Sequence, residues 1–77
     1  MTNNDLYNEE QILLQVADNL RLERLRKRFS QEKLADMVGI SAKYLNMIEN
    51  RRSNPSIAVV IRICIALDID LNTVWTK

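Results

Sequence analysis

One glycine narrows what this chain can become more than any other residue. Gly39 is the only glycine among 77 residues, and it separates two short helical patterns, SQEKLADMV before it and ISAKYLNMIEN after it. Leu34, Ala35 and Val38 recur at helical spacing behind a capping Ser30, and Gly39 supplies the left-handed backbone that other side chains adopt only at a cost. A helix is therefore expected over residues 31–38. Past the turn Ile40 points inward, Ser41 caps again, and Tyr44, Leu45 and Ile48 set a second apolar stripe along a helix expected over residues 42–50. Two helices of about eight residues bury too little apolar surface to fold alone, so the rest of the chain must complete their core.

The flanking segments have the patterns to do so. Residues 1–8 read as a flexible polar arm. Over residues 9–28 there is no Gly or Pro, and Leu13, Val16, Ala17, Leu20 and Arg24 fall in one narrow sector of a helix. Arg24 within that stripe must snorkel out or meet a carboxylate. Leu14, Leu22 and Leu25 occupy another sector, suited to the arm or to a second chain. After residue 50 comes a basic loop, Arg51-Arg52-Ser53-Asn54, closed by Pro55 and a capping Ser56. Residues 56–67 follow, apolar almost all round, with Arg62 their only charge. The β-branched run also suits a strand, but a lone strand has no partner, so a buried helix is expected. Asp68-Ile69-Asp70 ends it, and residues 71–75 form a last short helix carrying Val74 and Trp75. The expectation is all-α: one compact five-helix domain over residues 9–77, with no repeat or linker.

Composition removes several function classes. One cysteine and no histidine exclude a disulfide framework, a Cys/His zinc site and a histidine-dependent triad. No nucleophile–base or metal constellation is left, so neither an enzyme nor a cofactor is expected. The polar, acidic start lacks the basic and apolar regions of a signal peptide, and Arg62 splits apolar runs already too short to span a bilayer; a soluble, cytoplasmic protein is expected. Net charge is only +1, but it is unevenly placed. Residues 1–20 hold four acids and no base, whereas residues 21–52 hold nine bases against Glu23, Glu32, Asp36 and Glu49. The two-helix segment is thus the electropositive one, which suits a polyanion or, equally, a solvated helix surface.

Taken in order, these pieces resemble the helix-turn-helix family of lambdoid phage repressors and Cro, the XRE-like regulators. The matching stretches are Asn19-Leu20-Arg21 with Arg24, Phe29-Ser30-Gln31-Glu32-Lys33-Leu34-Ala35, Val38-Gly39-Ile40-Ser41, Tyr44-Leu45 with Ile48-Glu49, Pro55-Ser56, and Ala66-Leu67 through Leu71 to Val74-Trp75. The resemblance implies a lambda-repressor-like domain whose third helix enters the major groove of double-stranded DNA, as a homodimer on a palindromic operator. A restriction-modification controller protein or a small phage repressor would look like this.

The resemblance also distributes roles. Lys43 and Asn46 are the expected base readers, because lysine can donate to guanine and an amide can pair with adenine, while Ala42 and Met47 are placed to touch thymine methyls. Gln31, at the start of the second helix, is expected at a DNA phosphate, and Asn50, Arg51, Arg52 and Ser53 beyond the third helix should clamp the backbone. Ser30 and Ser41 are caps beside that backbone, and Tyr44 either packs or reaches a phosphate. Arg24 and Glu49 are expected to pair between the first and third helices. Arg28 and Arg51 stand where the family commonly has glycine, so either each takes positive φ or the turns differ. The fourth helix is more apolar outside than usual (Ala58, Val59, Ile61, Ile65), and Ile65, Ile69, Leu71, Val74 and Trp75 are the expected dimer surface. No small-molecule ligand or membrane partner is expected. A second reading, an antitoxin-like module whose apolar surface covers another protein, stays open beside the transcriptional regulator.

Overall fold

A computed structural model describes residues 9–74. The chain forms α1 (Glu9–Arg26), α2 (Gln31–Val38), α3 (Ala42–Glu49), α4 (Ile57–Leu67) and a closing 3-10 turn at Leu71–Val74. Among the described residues there is no strand, so the β-branched run of α4 is helical. The expected arm over residues 1–8 and Trp75 lie outside the described residues.

The starts of α2, α3 and α4 are each set by a serine. Ser30, Ser41 and Ser56 take extended backbone, and their hydroxyl oxygens accept from the backbone N–H groups of Lys33 (2.9 Å), Tyr44 (3.0 Å) and Val59 (3.2 Å). Each end is set by a left-handed residue. Gly39 (φ 85°) closes α2, and Arg28 (φ 63°), Arg51 (φ 65°) and Asp68 (φ 56°) close the other three helices. At each of these three, the residue's own N–H and the one after it donate back to the helix: Arg28 to Leu25 O and Phe29 to Arg24 O, Arg51 to Ile48 O and Arg52 to Met47 O, Asp68 to Ile65 O and Ile69 to Cys64 O. That is the Schellman arrangement, built without glycine. It ends α1 at Arg26 rather than residue 28, and it leaves Asn50 as the cap of α3 rather than its last helical residue. The two arginines in place of glycine therefore do adopt positive φ.

Among the described residues the expected fifth helix is a single 3-10 turn rather than an α-helix. Asp70 Oδ1 accepts from the Asn72 N–H (2.9 Å) and the Asp70 carbonyl from the Thr73 N–H (2.9 Å). These bonds tighten the chain into 3-10 geometry over four residues, too few for an α-helical ladder.

One core joins every element. Val16 and Leu20 of α1, Leu34, Ala35 and Val38 of α2, Leu45 and Ile48 of α3, Val60, Ile63, Cys64 and Leu67 of α4, and Val74 form a continuous buried cluster. Helix α1 packs on α3, α4 and the closing turn, while α2 packs on α3 and α4. Asn19 fastens α1 to the closing turn by donating from Nδ2 to the Val74 carbonyl (2.8 Å). Cys64 behaves as a small apolar residue, its thiol pKa raised by burial and then by Asp70. Helix α4 is buried on one side only, because Ile57, Ile61 and Ile65 form an exposed ridge at i, i+4 spacing.

The turn between α2 and α3 is also held from outside. Arg62 of α4 donates from Nη2 to the Val38 carbonyl, filling the last turn of α2, and a Cβ on Gly39 would lie 2.8 Å from that nitrogen. Gly39→Ala should thus lose about 1–2 kcal/mol from left-handed strain alone, and more from displacing the arginine. Arg28→Gly should gain about 0.5–1 kcal/mol by relieving the same strain. Urea denaturation of both variants checks the opposite signs.

Candidate nucleic-acid interface

The arginine that the α1 stripe carries meets a carboxylate from α3. Arg24 donates from Nε to Glu49 Oε2 (2.7 Å) and from Nη2 to Glu49 Oε1 (2.9 Å), a two-pronged pair between residues only 7% and 4% exposed. The remaining nitrogen, Nη1, donates to the Phe29 carbonyl (2.7 Å) in the turn before α2. One guanidinium therefore ties the end of α1, the entry to α2 and the end of α3 together. Gln31 joins from the first position of α2, its Nε2 donating to Glu49 Oε1 (2.9 Å). Among the described residues no buried side-chain nitrogen or oxygen lacks a partner, so the charges enter the interior fully satisfied.

This clamp fixes the surface that α3 presents. Leu45 and Ile48 are buried, leaving Lys43 and Asn46 exposed on the opposite side. Ala42 and Tyr44 are half-buried and pack against the core, and Met47 is half-buried. The exposed Ser30 and Ser41 spend their hydroxyl oxygens on capping α2 and α3. Asn46 is not isolated: its Nδ2 donates to Gln31 Oε1 (3.2 Å).

The loop after α3 divides its residues more sharply than the sequence does. Asn50 turns its Nδ2 back onto the Asn46 carbonyl (3.0 Å), completing the helix cap. Arg51 reaches toward α1, donating from Nη2 to Asp18 Oδ2 (2.6 Å) and from Nε to Asp18 Oδ1 (3.2 Å). Asp18 raises the guanidinium pKa above its ordinary value, by the hydrogen bond first and charge attraction second. The positive charge of Arg51 is thus matched within the chain by Asp18, in a surface pair whose two side chains each stay 47% exposed. Arg52 is exposed and Ser53 half-buried. The Asp18 partnership was not visible in the sequence: the two residues are 33 positions apart and share no local pattern.

The expected dimer surface is also redistributed. Ile65 stands 72% exposed on α4, and Ile69 and Leu71 are half-buried. Val74 is fully buried beneath α1, in this chain's own core, and is withdrawn from that surface. Trp75 is outside the described residues. Open clefts run along α1, one lined by Leu14, Asp18, Leu22 and Arg51, and another at Glu10, Leu13, Ala17 and Pro55; neither includes a residue of α3. Among the described residues no His/Cys/Asp/Glu group is arranged to hold a metal, and no helix is long and apolar enough to cross a membrane.

Comparison with known proteins puts this arrangement in context. A family model described as helix-turn-helix matches residues 20–74, from Leu20 in the α1 stripe to the closing turn. A hypothetical transcription factor of Neisseria meningitidis serogroup B is 31% identical over 65 residues, covering 84% of this chain and 61% of that protein. The ImmF control region 10 kDa protein of Bacillus phage phi105 is 41% identical over 49 residues, covering 64% of this chain and 54% of its own length. The chain thus spans between half and two thirds of these curated relatives. Among solved structures, the restriction-modification controller protein C.AhdI from Aeromonas hydrophila superposes with a TM-score of 0.76 at 31% identity, over 80% of this chain and 94% of that one. The hypothetical transcription factor NHTF from Neisseria gives a TM-score of 0.80 at 30% identity, over 90% of this chain and 79% of that one.

Removing one side of the Arg24–Glu49 pair strands the other. Glu49→Ala should cost about 3–5 kcal/mol, because a guanidinium is left buried without its carboxylate. Equilibrium denaturation measures the loss, and a normal melting temperature together with normal DNA affinity would contradict the role given to the pair.

Proposed function

The chain belongs to the helix-turn-helix family of DNA-binding transcriptional regulators, and from that premise we propose that it is a sequence-specific repressor or controller protein. It acts as a homodimer, lays α3 in the major groove of a two-fold operator and works in the cytoplasm. The observation that carries the reading is the division of α3: a buried edge locked by Glu49, and an exposed edge where Lys43 and Asn46 stand together. Lysine supplies donors for guanine O6 and N7, and an asparagine amide supplies the donor and acceptor that adenine needs. Ala42 and Met47, half-buried beside them, supply short apolar contacts for thymine methyls. Serine caps and the start of α2 near Gln31 hold the flanking phosphates, and Arg52 is the loop cation left for the backbone. Helix-turn-helix recognition of this kind is binding, with no reaction to catalyse.

Homodimerisation is supported by α4. Ile57, Ile61 and Ile65 align on its outer side, with Ile69 and Leu71 half-exposed just beyond its end. A self-complementary apolar face is what a two-fold interface requires, and two α3 helices about one DNA turn apart, roughly 34 Å, then read the halves of a palindrome. The same ridge fits the antitoxin-like alternative, in which a different protein covers it. Sedimentation of the purified chain separates the two: a dimer that binds DNA alone supports the regulator, and Ile65→Glu should shift it to monomer. A monomer that needs a partner supports the alternative.

Selection from a random duplex pool should enrich a palindrome. On that duplex and a scrambled one, Arg52→Ala should weaken binding on both and reduce the salt slope by about one. Lys43→Ala should instead lower preference for the selected duplex by roughly tenfold, which corresponds to one lost base contact. The reverse pattern would exchange the roles of the two residues.

A further inference from the structure

We infer that Gln31 is a positioning residue that sets which way round the Asn46 amide faces a base, by relaying the polarity of the buried Glu49 carboxylate to the surface. The inference rests on the reading that α3 contacts bases, and it assigns Gln31 a task beyond holding a phosphate.

The argument is one of donors and acceptors. An asparagine side chain offers an oxygen and an NH2 group of nearly equal shape, so an exposed one can present either to a base. At Asn46 that freedom is removed in two steps. Glu49 is acceptor-only, so the Gln31 group beside its Oε1, at 2.9 Å, has to be Nε2. The Gln31 oxygen then faces the other way, and because it can only accept, the Asn46 group beside it, at 3.2 Å, has to be Nδ2. Arg24 closes the inner end by holding both Glu49 oxygens, so the carboxylate cannot rotate away. The series runs from a buried ion pair to an exposed amide through charge-assisted and neutral hydrogen bonds, each polarising the next. Asn50 secures the helix from the other side by donating to the Asn46 carbonyl.

The outcome is a fixed pattern at the surface. Among the described residues, Asn46 retains its Oδ1 and its second Nδ2 hydrogen for a ligand. An oxygen and an N–H fixed side by side match the N6 donor and N7 acceptor of adenine in the major groove. They match no such pair on guanine, whose O6 and N7 both accept. Fixing the amide before binding also avoids the entropy of ordering it at the interface. Gln31 thus acts on specificity through Asn46.

Two measurements test this. In the protein without DNA, the Asn46 side-chain amide protons should exchange more slowly than those of exposed Asn54 in side-chain NMR. Gln31→Met, which keeps the length and loses both hydrogen bonds, should abolish that difference while leaving the backbone resonances of Leu45 and Ile48 in place. With the selected duplex and its single-base-pair substitutions, Gln31→Met should lower discrimination at the pair read by Asn46 by roughly tenfold. In Asn46→Ala the same Gln31 change should have no further effect on that ratio. A uniform loss on every duplex, additive with Asn46→Ala, would overturn the relay while leaving the base-reading role of Asn46 intact. Unchanged discrimination in Asn46→Ala itself would remove Asn46 from the readers, and the relay with it.

Discussion

The rest of the structure depends on one guanidinium. Arg24 uses Nε and Nη2 on Glu49 and Nη1 on the Phe29 carbonyl, so three segments share one rigid, planar hub. A buried ion pair contributes little net stability, since desolvation offsets much of the attraction. Its value lies in geometry. Apolar side chains at the α1–α3 contact would tolerate sliding or rotation at small cost, whereas a two-pronged carboxylate pair has one arrangement, and departure from it leaves a charge buried without its partner. The angle at which α3 is held is therefore specified by polar chemistry, while the energy that holds the domain together comes from the cluster around Leu20, Leu34, Leu45, Ile48 and Ile63.

Around that hub the turns are built from economical local parts. Serine hydroxyls start α2, α3 and α4, and a left-handed residue ends each of the four helices. Only one of those left-handed residues is glycine. The other three, Arg28, Arg51 and Asp68, take a backbone conformation that disfavours a side chain, and at Arg51 the side chain is used: its guanidinium reaches Asp18 across the loop. At Gly39 a side chain would add left-handed strain and push aside the Arg62 guanidinium, which lies 2.8 Å from where a Cβ would stand.

Charge on the two-helix segment is handled in the same way. Nine bases between residues 21 and 52 look like a broad electropositive surface, yet Arg24 is consumed by Glu49 and Arg51 by Asp18. Surface pairing of that second kind is worth little energetically. It does, however, distinguish the cations near α3 that have a carboxylate partner from those that have none among the described residues. What remains near α3 is sparse, Lys43 on the helix and Arg52 on the loop, and a sparse surface suits discrimination better than a dense one, which binds any polyanion.

Much of this was legible in the sequence, for identifiable reasons. Helix starts, helix ends and the core stripes of α2 and α3 are local properties: Ser30, Gly39 and Ser41 act within four residues of themselves, and apolar spacing records which side of a helix is covered. The all-helical class and the helix-turn-helix family follow from those local signals in order. An arginine in an apolar stripe had either to snorkel out or to meet a carboxylate, and the family resemblance pointed to Glu49. Other features were decided only by tertiary structure, because they depend on which distant residues come within about 3 Å of each other. Val74 looked like a surface residue and became core once α1 lay over it; the last helix shrank to a single turn when Asp70 folded its oxygen onto Asn72; Arg51 pairs with an aspartate 33 positions away; and Gln31, whatever its part at a phosphate, bridges Glu49 and Asn46. Sequence periodicity carries the direction in which a side chain leaves its helix, but the partner it finds there is set by packing of the whole chain.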